Sequence, residues 1–162
     1  MKTAPLADAL RERLEDWREA GEAIVFTNGV FDLLHIGHVG YLAEAASLGD
    51  RLVVGINSDD SVRRIKGPGR PIVPAEERAA IVAALGCVDA VAIFEEDTPE
   101  ALIHAVRPQV LVKGADWAAD AIVGREFVES IGGRVERIQL HEGASTTAII
   151  ERILAGEESK GV

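Results

Sequence analysis

The segment Ile24-Val25-Phe26-Thr27-Asn28-Gly29-Val30-Phe31-Asp32-Leu33-Leu34-His35-Ile36-Gly37-His38 passes from an apolar strand, through a polar glycine-bearing turn, into two imidazoles three positions apart. A helix begins directly after them. Ring N–H donors and free backbone N–H groups therefore gather at one positive helix N-terminus, an arrangement that favours an anion and above all a polyphosphate.

Outward from this turn the chain alternates. The short β-branched runs are Ala23 to Thr27, Arg51 to Ile56, Ala90 to Phe94, Val110 to Lys113 and Arg134 to Ile138. Between and after them lie helical patterns over Gly37 to Leu48, Pro74 to Leu85, Pro99 to Val106, Gly124 to Ile131 and Thr146 to Leu154. Strands alternating with helices of about ten residues predict an α/β fold, a Rossmann-like doubly wound parallel sheet of about five strands. The first twenty residues, with Leu6, Leu10, Leu14 and Trp17 at helical spacing, predict an amphipathic helix packed on the domain and ended by Gly21. The expected division is thus a helix over 1–22, the domain proper over 23–156 and a frayed tail over 157–162. In such folds ligands bind beyond the carboxyl ends of the strands. The polar segments do follow strands: Asn28 to His38, Asn57-Ser58-Asp59-Asp60, Asp97-Thr98 and Lys113 to Trp117. One crevice is expected to collect all four.

Composition limits the partners. The 162 residues are 48% hydrophobic and 27% charged, enough for one domain with a real core. Lys and Arg number 17 against 27 for Asp and Glu, a net charge of −10, and no basic run offers a footprint for nucleic acid or an anionic membrane. Any polyphosphate is bound by local geometry rather than bulk charge. The single Cys87 cannot form an internal disulfide, and no apolar N-terminal segment resembles a signal peptide or membrane span, so a cytoplasmic protein is expected. Helical faces carrying Ala43, Ala46, Ala79, Ala83 and Ala84 can support a homodimer.

Three readings compete for His35 and His38: a metal pair, two structural histidines or a phosphate clamp. Zinc needs three or four ligands, and neither a suitable Cys nor a helical Glu is at hand. The adjoining Gly37 and the strand-to-helix turn favour the clamp. His104, alone on an apolar face, reads as structural. No Gly-x-Gly-x-x-Gly run follows the first strand, which argues against a dinucleotide oxidoreductase.

The run Thr27 to His38 resembles the cytidylyltransferase-like nucleotidyltransferases, whose mark is two histidines flanking x-Gly after a strand. Lys66-Gly67, Arg70-Pro71, Glu77-Arg78, Val88-Asp89, Lys113-Gly114-Ala115-Asp116-Trp117 and Gly143-Ala144-Ser145-Thr146-Thr147 follow in the order of that family, so the resemblance covers Ala23 to Leu154. Within it, the pattern is most similar to the stand-alone adenylyltransferases of D-glycero-β-D-manno-heptose 1-phosphate. The resemblance implies transfer of AMP from ATP, with Mg2+, to a sugar 1-phosphate, giving ADP-heptose and pyrophosphate by in-line attack without a protein nucleophile. It makes His35, His38 and Lys66 the catalytic group, with Lys66 carried on a loop (Gly67, Pro68, Gly69) that closes over both substrates. Nucleotide contacts are implied for Thr27, Asn28, Gly29, Phe31, Gly37, Lys113, Gly114, Asp116, Ser145, Thr146 and Thr147.

Sugar-phosphate or supporting contacts are implied for Asp32, Arg70 and Arg78. Several of these residues also have a plain reading. Ser145-Thr146-Thr147 before an apolar run is a helix N-cap as well as an anion site. Arg78 is either part of the site or half of a surface pair on its helix. Asp32 can orient a histidine, place magnesium through water or cap a turn. The alternatives in substrate are CTP with glycerol 3-phosphate, or another small phosphate. Cytidylyltransferases for glycerol phosphate carry Arg-Thr-Glu-Gly where this chain has Leu140-His141-Glu142-Gly143, and arginine at Gly86, which favours ATP here. Heptose enzymes commonly have a second glycine at Ala115. A nucleotide-binding module without turnover is the remaining alternative.

Overall fold

The computed structural model describes residues 6–140, 143 and 145–158. Five strands form one parallel sheet: β1 (Ile24–Gly29), β2 (Arg51–Asn57), β3 (Ala90–Phe94), β4 (Val110–Gly114) and β5 (Arg134–Ile138), in the order β3-β2-β1-β4-β5. The helices are α1 (Asp8–Glu19), α2 (Ile36–Ala46), α3 (Asp59–Lys66), α4 (Ala75–Ala83), α5 (Glu100–Val106), α6 (Arg125–Ser130) and α7 (Thr146–Glu158). The chain moves from β1 outward to β3, then returns to lay β4 on the other side of β1. That reversal makes the β1/β4 boundary the switch point.

Both faces are covered at the centre of the sheet, so β1, β2 and β4 are largely apolar and buried, while the edge strand β5 keeps Arg134 and Arg137 exposed. Alternate residues divide between two cores. Ile24, Phe26, Val53 and Leu111 meet Leu10, Leu14 and Trp17 of α1 with Leu102, Ile103 and Val128 of α5 and α6. Val25, Val54, Val110 and Val112 meet Tyr41, Leu42 and Ala45 of α2 and Val82 of α4.

The ladders differ in length. β1 and β2 pair over six residues, whereas β1 and β4 pair only as Val25↔Val110 and Phe26↔Leu111. Beyond that point side chains continue the register: the Thr27 hydroxyl donates to Val112 O at 3.0 Å, and Lys113 Nζ donates to Asn28 Oδ1. The opening between β1 and β4 is therefore bridged by polar side chains.

The expected strands and helices are present with shifts of a few residues at their ends, but α3 was not expected. Its apolar residues are few, Val62 and Ile65, so hydrophobic periodicity is weak. Ends rather than a core face specify it: Ser58 Oγ caps the Ser61 N–H at 3.2 Å, Asp59 and Asp60 occupy the first turn, and Arg63, Arg64 and Lys66 the last. The polar segments meet in two pairs, which Arg78 joins by bonding both Val30 O after β1 and Asp59 after β2. Those after β1 and β4 meet through Asn28 and Lys113. Those after β2 and β3 meet each other, with Ser61 Oγ donating to Glu96 O and Arg64 paired to Asp97 at 2.7 Å. At the C-terminus α7 runs through Glu158, past the expected start of the tail, and residues 159–162 lie outside the described residues, as do His141, Glu142 and Ala144.

Candidate active site

His35 is the N-cap of α2, with extended backbone (φ −137°, ψ 174°). Its Nδ1 accepts the Gly37 N–H at 3.1 Å, and His38 Nδ1 accepts the His35 N–H at 3.3 Å. Each ring thus spends Nδ1 on a backbone donor that would otherwise be orphaned at a helix start. An Nδ1 that accepts carries no hydrogen, so in the neutral form the proton sits on Nε2 of both rings and is the donor left for a ligand. The rings stack at 3.8 Å with 25° between planes, and Phe31 meets His38 edge-on at 5.3 Å. Burial holds His35 below its usual pKa; burial together with the neighbouring His35 brings His38 down to about 4. The pair is a pre-set, uncharged double donor beside the positive end of α2.

Two features hold the turn before it. Phe31 takes a left-handed backbone (φ 48°), uncommon for an aromatic residue, which presses its ring toward Gly29: a Cβ there would lie 2.9 Å from Phe31 Cε2. Asp32 is buried and accepts from Arg70 Nε at 2.6 Å, Ile72 N–H at 2.9 Å and Val73 N–H at 2.8 Å. Burial opposes the charge, but the Val73 and Ile72 N–H groups and Arg70 outweigh it and hold the carboxyl below its usual range. Among the open alternatives for Asp32, the geometry is that of a clasp between the β1 turn and the segment 70–73. Arg70 shares in it.

Arg78 is not on the surface. Its side chain is fully buried, with Nε on Val73 O at 2.8 Å, Nη1 on Val30 O at 2.6 Å and Nη2 on Asp59 Oδ1 at 2.8 Å. This burial overturns the surface pair, while the side chain supports the histidine turn by joining three segments of the chain. Thr27 is fully buried, its hydroxyl donating to Val112 O and receiving Tyr41 OH at 2.8 Å. Burial, opposed by that bond and aided by Asp116, pushes the Tyr41 hydroxyl up to about 12. Lys66 is exposed at the last position of α3 rather than within the glycine loop, which starts with Gly67 at φ 97°.

On the other flank of the turn lies the start of α7. Ser145 Oγ accepts the Ala148 N–H at 3.0 Å, and Thr146 Oγ1 donates to Leu33 O at 3.3 Å, tethering α7 to the histidine turn. Thr147 is exposed beside them. Between α2 and α7 runs an open groove of 570 Å³ lined by His35, Ile36, Gly143, Ser145, Ile149 and Arg152. At the end of β4, Lys113 is buried and the Asp116 side chain folds over Gly114, where a Cβ would lie 2.5 Å from Asp116 Oδ1. Trp117 stands half exposed, with Lys113 Nζ 5.7 Å from its ring. His35, His38, Gly37, Ser145, Thr146 and Thr147 thus gather on one side of the crevice, and Asn28, Lys113, Gly114 and Asp116 on the other.

Tyr41 and Arg152 were missed in the sequence. Arg152 had a signal, since it falls seven residues after Ser145 and returns to the same helical face. Tyr41 had none, because its contact with Thr27 depends on how α2 lies on the sheet. No group of three or more His, Cys, Asp and Glu among the described residues could hold a metal ion.

A family model described as cytidylyltransferase-like matches residues 26–152. The chain belongs to this family of nucleotidyltransferases. The match begins in β1, ends in α7 and takes in every element of the crevice. Among curated relatives, the bifunctional protein HldE of Syntrophotalea carbinolica is 58% identical over 149 residues, covering 92% of this chain and 30% of the relative. That of Geobacter sulfurreducens is 60% identical over 140 residues, covering 85% and 29%. The chain therefore spans about 30% of the length of these relatives. A solved structure described as a lipopolysaccharide core biosynthesis protein from Thermoplasma volcanium superposes with a TM-score of 0.63 at 30% identity, over 76% of this chain and all of that one.

Proposed function

We propose that the protein transfers AMP from ATP to a sugar 1-phosphate, D-glycero-β-D-manno-heptose 1-phosphate, releasing pyrophosphate and ADP-heptose. The observation that carries this is the stacked pair His35/His38, whose outward Nε2–H donors stand at the N-terminus of α2 beside the hydroxyl-capped start of α7. ATP and a heptose phosphate as substrates rest on the motif resemblance, in keeping with the similar solved structure described as a lipopolysaccharide core biosynthesis protein.

Magnesium would arrive on the triphosphate, where it screens charge, because Asp32 has spent its oxygens on Arg70, Ile72 and Val73. A phosphate oxygen of the sugar phosphate attacks the α-phosphorus, and the bond from that phosphorus to the bridging oxygen of the leaving pyrophosphate breaks. No side chain becomes covalently modified. His35 and His38 donate to oxygens that gain charge in the transition state, each worth ~3 kcal/mol by analogy with oxyanion donors. The Ser145 cap and the α7 N-terminus receive the outer phosphates. No helix among the described residues is long and apolar enough to cross a membrane; we place the reaction in the cytoplasm, where ATP is supplied.

The test is pyrophosphate release with magnesium, with ATP or CTP each paired with heptose 1-phosphate or glycerol 3-phosphate. Release is expected only for ATP with heptose 1-phosphate. Release with CTP and glycerol 3-phosphate, or silence in every pairing, would contradict the proposal.

A further inference from the structure

Lys113 is a cation without a counter-charge among the described residues. It is 8% exposed, its Nζ donates to the neutral Asn28 carbonyl oxygen, and among the described residues it makes no ion pair. Burial alone brings its pKa down to about 8. A buried ammonium held by an amide and the face of Trp117, with no opposite charge, is a poor structural strut, since an uncharged side chain would bridge the strands without desolvating a charge. Its place in the fold suggests what it awaits. Lys113 follows Leu111 by two, and Asn28 follows Phe26 by two, so both point to the α1/α5/α6 face of the sheet, whereas the histidine turn caps a helix on the opposite face. Arg137, in register with Lys113 on β5, adds a second cation to that face while its Nη1 donates to Trp117 O at 3.2 Å.

In-line displacement supplies the rest. The attacking oxygen enters opposite the leaving oxygen, so with the pyrophosphate held between α2 and α7 the incoming phosphate must approach from the other side of the α-phosphorus. That side is the end of β1 and β4. We infer that Lys113, positioned by Asn28 across the switch point, is the anchor for the phosphate group of the sugar-phosphate acceptor rather than a contact of the nucleotide. This rests on the reading of the protein as a sugar-phosphate nucleotidyltransferase and adds which buried cation holds the acceptor.

Lys113→Met keeps length and shape while removing the charge. Expected is a rise of at least tenfold in KM for heptose 1-phosphate, with ATP affinity by calorimetry unchanged within twofold and Lys113→Arg recovering most of the loss. Weakened ATP binding with an unchanged KM for the sugar phosphate would overturn the assignment, and so would no change in either.

A measurement on the wild-type chain guards against a variant that fails to fold. Lys113 is one of four lysines, so its Nζ resonance in ¹⁵N-lysine protein can be assigned and followed. With a non-hydrolysable ATP analogue bound, added heptose 1-phosphate should shift that resonance strongly. If wild type neither binds nor turns over this sugar, the proposed substrate fails, and inorganic phosphate added to the same complex decides Lys113 separately: a shift supports the anchor, and no shift overturns it.

Discussion

Asp32 and Lys113 are buried charges near the carboxyl ends of β1 and β4, and they differ in where the opposite charge resides. Asp32 has its partners inside the protein, an arginine and two backbone N–H groups. Among the described residues Lys113 has a neutral carbonyl and the face of Trp117, and no opposite charge. The same contrast separates Arg78, whose guanidinium is consumed by Val73, Val30 and Asp59, from the histidine pair, whose Nδ1 atoms are consumed and whose Nε2 donors are not. A buried polar group satisfied within the fold is architecture. One that keeps a donor pointed at the strand ends is prepared for a ligand, and the two kinds sit within a few residues of one another in the sequence.

The sharpest way to break this contrast is to remove the open donors. His35→Ala and His38→Ala are each expected to lower kcat more than a hundredfold, roughly 3 kcal/mol of transition-state stabilisation, with the melting temperature changed by only a few degrees. Stopped-assay kinetics beside thermal melting checks both. A near-normal rate in either variant would remove that ring from the mechanism.

Closing donors should show the reverse. Arg78→Met leaves the Val30 and Val73 carbonyls without that donor and Asp59 with the Ala75 N–H alone, and is expected to cost about 3 kcal/mol of stability, which lowers Tm by roughly 6–12 °C in a domain of this size. Denaturant titration measures it. A loss under ~1 kcal/mol would mean that the buried guanidinium is dispensable.

A third prediction concerns acid. His38 lies near 4 in the folded state against an ordinary 6.5, so the unfolded chain binds its proton first as pH falls. The stability it contributes is present above 6.5 and is lost as pH drops from there through about 4. Asp32, also depressed, acts in the same direction but only below its ordinary 3.8. Melting curves across that range should decline in the wild type and decline less in His38→Asn; equal slopes would contradict the buried neutral ring. The smallest effect is expected for Ser145→Ala, about 1 kcal/mol from the lost cap of α7, with a modest rise in KM for ATP, read by calorimetry and kinetics.

How much of this was legible in the sequence follows from the same physics. Alternating apolar runs and helical periods fix the order of elements, because the central strands β1, β2 and β4 are buried along most of their length. The Ser145 cap and the histidine turn are local, so spacing reveals them. α3 escaped because its signal lies in charges and a cap rather than in an apolar face. The clasp of Asp32 on Arg70, Ile72 and Val73 spans 38 to 41 residues, and the Lys113 bond to Asn28 spans 85. No spacing rule reaches that far. Lys113 itself sits in the apolar run Val110-Leu111-Val112, which hid how deeply it is buried.

The most direct test of the central claim is a side-by-side rate per folded molecule for His38→Ala and Arg78→Met, with ATP and heptose 1-phosphate, below the melting temperature of both. The account predicts a loss beyond a hundredfold in the first and a rate within about threefold of wild type in the second. A rate loss in Arg78→Met as large as that in His38→Ala would show that the closed network carries the chemistry and would contradict the account.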